Sequence, residues 1–382
     1  MFVGLAGSTA STAVATLLES IRQPSYLRST TTTGPLEALD LRRPDGFRFG
    51  GWDFDSRALD AVCDGHGIVG SLHADTRQAL SAIRPMSGIR TNLDIEPRTG
   101  FDNFVQVTDV GEAVDRVAED IGRFTTTAGA DSAIVFYTGS PHADDANDPV
   151  PVPNTWEELR ATAGVVPSSV VYALGAIRAG AHFVDFTPGR CLDSALVHRL
   201  AAEHAVQLAG RDGSTGQTML KMALGELLKS RGFRVRGWYS TNVIGNHDGY
   251  VLSLPQHAVV KLSDKSDGLP KLLGYDDFDH HVSIDYVPHW GDHKESWDAI
   301  SIEGWAGSRL DIRVNWRGAD SMLASAMLFD LARLLDYGAR FSLSGLRHEV
   351  GYFFKRPLGR EGVAPGALLK DLVGFYTALR KA

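Results

Sequence analysis

The sequence predicts an α/β fold, a doubly wound parallel sheet joined to a second, mixed α+β unit. Three observations carry that expectation. Strand and helix patterns alternate from Phe2 to Ala209, a glycine-rich turn separates the first strand from the first helix, and the apolar period changes to two near the C-terminal half.

Phe2-Val3 reads as a short strand, Gly4-Leu5-Ala6-Gly7-Ser8-Thr9 as a tight turn, and Val14, Leu17, Leu18 and Ile21 share one face of the helix that follows. That order belongs to a dinucleotide site, where glycines let the backbone approach a pyrophosphate at a helix N-terminus. Ala6 and Ala10 stand where glycine is preferred, so a glycine turn that merely starts a helix is the alternative reading. Gln23 to Asp45, with its threonine run and prolines, reads as an irregular insertion or lid. The helix around Glu112 to Phe124 presents Val114, Val117 and Ile121, and Ala133 to Tyr137 is a buried strand ending in the turn Thr138-Gly139-Ser140-Pro141. A polar loop, His142 to Asn154, comes next. A helix at Ser168 to Gly180, a strand at His182 to Phe186, a helix near Leu192 to His204 and a strand at Val206 to Ala209 complete the alternation, which builds a parallel sheet.

Gly210-Arg211-Asp212-Gly213-Ser214-Thr215-Gly216-Gln217-Thr218 then runs into a helix with Leu220, Leu224, Leu227 and Leu228 at helical spacing. Unpaired N–H donors and the positive end of the dipole make such a terminus a phosphate cradle, although simple capping is the alternative. Without the Gly-Lys-Ser/Thr ending of a triphosphate loop, it suits a sugar phosphate better than ATP. Beyond it, Val235 to Tyr239 reads as a strand. Val282, Ile284 and Tyr286 alternate with polar residues, as do Leu310, Ile312, Val314 and Trp316, with a further strand signal at Ala299 to Glu303. These predict an antiparallel, open-faced sheet, followed by helices at Ala319 to Leu335 and Ala367 to Leu379. The expected division is residues 1–204 plus 341–382 for the first unit and 205–340 for the second.

At 382 residues the chain has room for about two to three domains. Its 38 Lys+Arg against 46 Asp+Glu give a net charge of −8, and no basic run is interleaved with aromatics, which argues against nucleic-acid binding. Cys63 and Cys191 lie far apart without metal-type spacing, as expected of a reducing cytoplasm. No stretch approaches the roughly 18–20 apolar residues of a membrane span, and the N-terminus lacks the positive region of a signal peptide.

Lys261, Lys265, Lys294 and Lys355 sit beside Gly, Asp or Pro, where each alone reads first as a solvated surface charge. Tyr352, Phe353 and Phe354 make Lys355 the exception, since a buried cation needs a partner. Gly245-Asn246-His247-Asp248-Gly249 is a β-turn that could also be a site. His280 and His281, preceded by Asp276, Asp277 and Asp279, match no common ligand spacing and read as a polar loop; any metal requirement stays open.

Ordered motifs along nearly the whole chain resemble the myo-inositol-1-phosphate synthase family. Gly4 to Thr12 is similar to its cofactor turn, Gly50-Gly51-Trp52-Asp53 to its Gly-Gly-Trp-Asp, and Gly139-Ser140-Pro141 to its Asn-Gly-Ser-Pro. Gly210 to Thr218 and Ser240 to Gly249 resemble its two substrate loops. The lysines at 261, 265, 294 and 355 fall in its lysine contexts, and Asp320-Ser321-Met322-Leu323-Ala324 on its Asp-Ser-Leu-Leu-Ala.

The resemblance implies a Rossmann domain binding NAD, a catalytic domain that also forms a homotetramer, and a redox-neutral cyclisation of a hexose 6-phosphate. It assigns NAD to Gly4, Ala6, Gly7, Ser8, Thr9, Asp53 and Ser140. It assigns substrate to Thr215, Gly216, Gln217, Thr218, Asn242, Asn246 and His247. Catalysis falls to Lys261, Lys265, Lys294, Lys355, Asp212, Asp248 and Asp320. Ser214 stands where the family has lysine, and Thr241, Val243 and His247 where it has Tyr, His and Asn. These departures leave glucose 6-phosphate and fructose 6-phosphate as equal expectations, the latter closing a five-membered cyclitol phosphate as in the family's specialised-metabolism variants. An NAD(P)-dependent dehydrogenase and an inactive NAD-binding regulator are the alternatives.

Overall fold

A computed structural model describes residues 1–66, 72–94, 100–139, 152–162, 164–246, 249–250, 268–291 and 293–381. Its strands are β1 Phe2–Val3, β2 Gly51–Asp53, β3 Met86–Arg90, β4 Phe104–Gln106, β5 Ile134–Tyr137, β6 His182–Asp185, β7 Gln207–Gly210, β8 Arg234–Ile244, β9 Asp279–Tyr286, β10 His293–Glu303, β11 Arg309–Ala319 and β12 Gly345–Leu346.

Eight of them form one parallel sheet in the order β12-β7-β6-β5-β1-β2-β3-β4. Helices on both faces exclude water, which is why β5 reads as an unbroken apolar run and why even His182 and Asp185 at the ends of β6 are buried. On one face, Val114, Val117 and Ile121 of helix Val110–Ala128 pack with helix Ser168–Arg178; a Cβ on Gly175 would lie 2.5 Å from Val117. Asp109 caps the first of these helices by accepting the Glu112 N–H at 3.0 Å, and Gly129, at φ 61°, ends it in the left-handed region. On the other face, Ala10, Ala13 and Val14 of helix Ser8–Arg22 meet Leu328, Leu331, Leu334 and Leu335 of helix Asp320–Ala339, with Leu372 and Tyr376 of helix Pro365–Leu379.

The second sheet has the order β11-β10-β8-β9. It corrects the antiparallel expectation, because β8 and β9 are parallel while β8/β10 and β10/β11 are antiparallel. His280 and His281 lie in β9, not in a loop. Helix Gly216–Ser230 packs Leu228 and Leu224 against Val235, Trp238, Ile300 and Ile302 of this sheet, whereas Leu227 is 55% exposed. β7 and helix Asp320–Ala339 fall within residues 205–340, yet they join the parallel sheet and its covering layer.

Residues 23–45 form short 3-10 turns strapped to helix Asp320–Ala339. Asp330 accepts the N–H groups of Thr31 and Thr32 at 2.8 and 3.0 Å, and Arg42 pairs with Asp336 at 2.7 Å. No described helix is long and apolar enough to cross a membrane.

Candidate active site

The strand order reverses at β1, which lies between β5 and β2, so a crevice opens beyond the carboxyl ends of β1 and β5. Gly4, at φ +83°, leads the chain out of β1, and a Cβ there would meet Gly139 N and Cα at 3.2 Å. Only glycine allows the two turns to approach so closely. Helix Ser8–Arg22 starts at Gly7 with no side-chain cap and no acidic residue in its first turn, leaving its terminal N–H groups to an anion. Asp53, at the tip of β2, accepts the Ala6 N–H at 2.8 Å and the Asp55 N–H at 3.0 Å. Burial pushes its carboxyl up to about 6 against those two hydrogen bonds. Asp53 therefore braces the glycine turn, and the turn with its uncapped helix fits a dinucleotide pyrophosphate. The structure brings Asp53 to the turn of Gly4, Ala6, Gly7, Ser8 and Thr9, while Ser140 lies outside the described residues.

Across the same carboxyl edge, β7 ends at Gly210 and the chain crosses to the second sheet. Residues 211–214 are held on both sides. Asp212 N donates to Thr187 O at 3.0 Å and Gly213 N to Phe186 O at 3.1 Å, while Ser214 N donates to Phe353 O at 2.9 Å and Lys355 N to Asp212 O at 2.7 Å. A Cβ at Gly213 would lie 2.2 Å from the Phe186 ring, so a larger residue cannot occupy this crossing. The pairing carries Lys355 to the loop, where its Nζ donates to Asp212 Oδ1 at 2.8 Å with both side chains largely buried. Asp212 adopts φ 60°, a backbone cost that the surrounding bonds must hold.

Helix Gly216–Ser230 opens at Thr215 without a side-chain cap and without an acidic first turn. Register brings the second lysine to it. Lys294 in β10 pairs with Gly318 in β11, and β11 runs directly into the helix that starts at Asp320. Lys294 Nζ consequently donates to Asp320 Oδ2 at 3.3 Å. Burial alone would raise the Asp320 carboxyl. Lys294, then Lys355, then the Thr215 hydroxyl overcome it and hold the group below the ordinary carboxylate value. Asp320 Oδ1 makes no hydrogen bond of normal geometry and faces Gly216, where a Cβ would stand 3.0 Å away. Two lysine–carboxylate pairs thus converge on one uncapped helix terminus.

Gln217 keeps its backbone N–H at this terminus and turns its side chain to the sheet, where Nε2 donates to both oxygens of Asp298 at 3.2 Å. Trp238 Nε1 and Ser240 Oγ donate to the same carboxylate at 2.8 and 2.5 Å. Asn242 faces the interior beside them, and its Nδ2 donates to Ser283 O at 3.4 Å. Asn246 Oδ1 is used within its own turn, accepting the Gly249 N–H at 3.1 Å. Strand alternation puts Thr241 and Val243, the departures suspected of choosing the sugar, on the opposite face from Lys294; Thr241 donates to Asp285 at 3.1 Å there. Lys261, Lys265, His247 and Asp248 lie outside the described residues.

Several residues of the cluster escaped the sequence reading. Ser296 and Asp298 share the buried face of β10 with Lys294, but the sequence signal for this strand starts only at Ala299. Lys221, one turn after Gln217, is buried over the Trp238 ring at 5.6 Å and lies 3.3 Å from His280 Nε2. Burial lowers its ammonium to about 8, opposed by Asp298, and burial with Lys221 lowers His280 to about 4. Trp316 closes the wall, its ring 3.1 Å from where a Gly216 Cβ would be. The i to i+4 spacing of Gln217 and Lys221 and the period of two in β10 were the available signals.

Fold and site together describe a doubly wound α/β protein with a dinucleotide-type first turn and, on its second sheet, an uncapped helix terminus ringed by lysine–carboxylate pairs. The model of the myo-inositol-1-phosphate synthase family matches residues 216–321, the segment that contains this cluster. The chain is 27% identical to inositol-3-phosphate synthase 1 of Bacteroides thetaiotaomicron, over 94% of this chain and 89% of that protein. It is 29% identical to the inositol-3-phosphate synthase of Drosophila melanogaster over 85% of this chain, spanning 62% of that longer protein. In fold it is similar to the Caenorhabditis elegans inositol-3-phosphate synthase, with a TM-score of 0.86 over 99% of this chain and 85% of the other at 23% identity. A myo-inositol-1-phosphate synthase-related protein from Thermotoga maritima superposes with a TM-score of 0.75 over 97% of this chain and 96% of the other at 22% identity. Residues 216–321 thus match that family's model, and the chain is similar to inositol-3-phosphate synthases over most of its length.

Proposed function

We propose that this protein is a sugar-phosphate cyclase that converts a hexose 6-phosphate into a cyclitol phosphate by NAD-dependent, redox-neutral intramolecular aldol chemistry. The observation that carries the reading is the meeting of Lys294–Asp320 and Lys355–Asp212 at the uncapped terminus of helix Gly216–Ser230. The Gly4 to Gly7 turn, braced by Asp53, would hold NAD, which would supply reversible hydride exchange at C5, so that C5 is a ketone during ring closure and the cycle is redox-neutral. The resulting C5 carbonyl acidifies the C6 protons.

The chain's own groups do the rest. The amides after Thr215 bind the phosphate, fixing one end of a flexible substrate. Lys294 and Lys355 place positive charge beside the oxyanions that develop at C5 and at the attacked carbonyl, where exclusion of water strengthens the attraction. Asp320 and Asp212 orient those ammonium groups. Asp298, tied to Gln217, Trp238 and Ser240, locks the helix terminus to the sheet. Glucose 6-phosphate gives a six-membered inositol phosphate, and fructose 6-phosphate, attacked at its C2 ketone, a five-membered ring; the two stand equal. A homotetramer in the cytoplasm belongs to the same reading. Tyr239 and Trp297, 49% and 44% exposed on the sheet face opposite Lys294, support an interface there.

Incubation of the protein with NAD and each hexose 6-phosphate, followed by product NMR and NADH absorbance, tests the proposal. The expected result is a cyclitol phosphate without accumulation of NADH. Stoichiometric free NADH would instead make the protein a dehydrogenase, and no turnover would favour the regulator.

A further inference from the structure

Among the described residues, three buried polar atoms without a hydrogen-bond partner fall in this one cluster: Asp320 Oδ1, Ser296 Oγ and Asn242 Oδ1. The last two belong together. Ser296 in β10 and Asn242 in β8 are directly opposite in the ladder, 1% and 0% exposed, so their Cβ atoms stand about 4.5–5.5 Å apart. Their neighbours on the same face are already engaged, Lys294 with Asp320 and Asp298 with Gln217, Trp238 and Ser240. Asn242 Nδ2 is committed to Ser283 O. What remains is one acceptor, Asn242 Oδ1, and one rotatable donor, Ser296 Oγ, on laterally paired residues of the same sheet face. Buried groups of this kind are normally satisfied, so the pair lacks a ligand.

We propose that Ser296 and Asn242 together read one hydroxyl of the substrate's carbon chain. Asn242 Oδ1 accepts the hydroxyl proton and Ser296 Oγ donates to the hydroxyl oxygen. Ser296 is then a specificity-determining residue on the same strand face as Lys294, so the hydroxyl it reads is fixed relative to the charge at the reacting carbons. The proposal rests on the hexose-phosphate reading above. It relocates sugar choice from Thr241 and Val243, which face away, to the interior of the sheet.

Calorimetric titration of the NAD-loaded protein with glucose 6-phosphate, fructose 6-phosphate and their monodeoxy analogues tests it, comparing wild type with Ser296→Ala and Ser296→Thr. Ser296→Ala is expected to weaken the preferred parent sugar phosphate by about tenfold, the scale of one lost hydrogen bond. The analogue lacking the hydroxyl that is read should bind wild type and Ser296→Ala alike. Ser296→Thr, which keeps the hydroxyl on a residue suited to a strand, should restore the parent's affinity. An equal loss for every analogue, or no loss at all because water fills the pair, overturns the proposal. Wild type that binds hexose phosphates but forms no cyclitol ends the cyclase reading and leaves the binding result for Ser296 to stand; wild type that binds none overturns both.

Discussion

Lys294 and Lys355 face the same cluster but are held differently. Lys355 donates to Asp212 at 2.8 Å with 15% and 7% side-chain exposure, whereas Lys294 reaches Asp320 at 3.3 Å and that carboxylate is 32% exposed. Removing Lys355 therefore leaves a nearly dry carboxylate alone, and Lys355→Ala is expected to cost about 3 kcal/mol of stability. Lys294→Ala leaves Asp320 with solvent and with the field of Lys355, so its loss of stability should be smaller. Both variants should lower turnover by about two to three orders of magnitude, the effect of losing an oxyanion-stabilising group, with NAD binding retained. Denaturant unfolding beside steady-state kinetics separates the two effects, and wild-type turnover in both variants would exclude them from the chemistry. The lysines were legible in the sequence because each sits in a recognisable local context. Asp212 and Asp320 were named with them, but which carboxylate meets which lysine was not legible, because the pairs form through the 211–214/353–356 pairing and the β10–β11 register, which no local spacing encodes.

At the scale of elements, the glycine-rich start of helix Gly216–Ser230 does two jobs. It leaves N–H donors open, and at φ +51° it lets Asp320 and the Trp316 ring close over the backbone. Gly216→Ala would put a methyl group 3.0 Å from Asp320 Oδ1 and 3.1 Å from Trp316, at a conformation unfavourable for any side chain. We expect it to destabilise the protein by about 1–3 kcal/mol and to weaken sugar-phosphate binding. Gly122→Ala, inside helix Val110–Ala128 with open space around it, should instead stabilise by about 0.5–1 kcal/mol. Thermal melts of the two variants with and without hexose 6-phosphate check the pair; equal shifts would remove any special role from the terminus. The helix was readable because its turn chemistry and its leucine spacing agree. β10 was half missed for the opposite reason. Its buried face begins with Lys294, Ser296 and Asp298, so the polar wall of a site hid the period of two until Ile300. The parallel β8–β9 pairing was equally hidden, since residues distant in sequence decide which edge of β8 the second strand takes.

Across the molecule, a single chain of bonds runs from the parallel sheet to the proposed catalytic lysine. Asp185 ends β6 opposite Gly210 of β7, and its Oδ1 accepts the Thr187 N–H at 3.1 Å and the Thr187 hydroxyl at 2.8 Å. Thr187 O accepts the Asp212 N–H, and Asp212 accepts Lys355 through both its backbone and its side chain. Cys191 Sγ donates to Asp185 Oδ2 at 3.1 Å, so every contact to this carboxylate is a donor and it anchors the crossing between the sheets. Yet it is fully buried, and burial pushes its carboxyl up to about 6 despite Cys191, Thr187 and Arg211. A folded value above the unfolded one makes the stabilisation complete below about pH 4 and lost as the pH rises through 6. Asp185→Asn removes that titration while an amide oxygen still accepts from Thr187. In denaturant titrations at successive pH values, wild type should lose stability relative to Asp185→Asn between pH 4 and 6, by up to about 3 kcal/mol. A difference between the two proteins that does not change with pH would mean that Asp185 stays ionised throughout, and that the donors around it outweigh its burial.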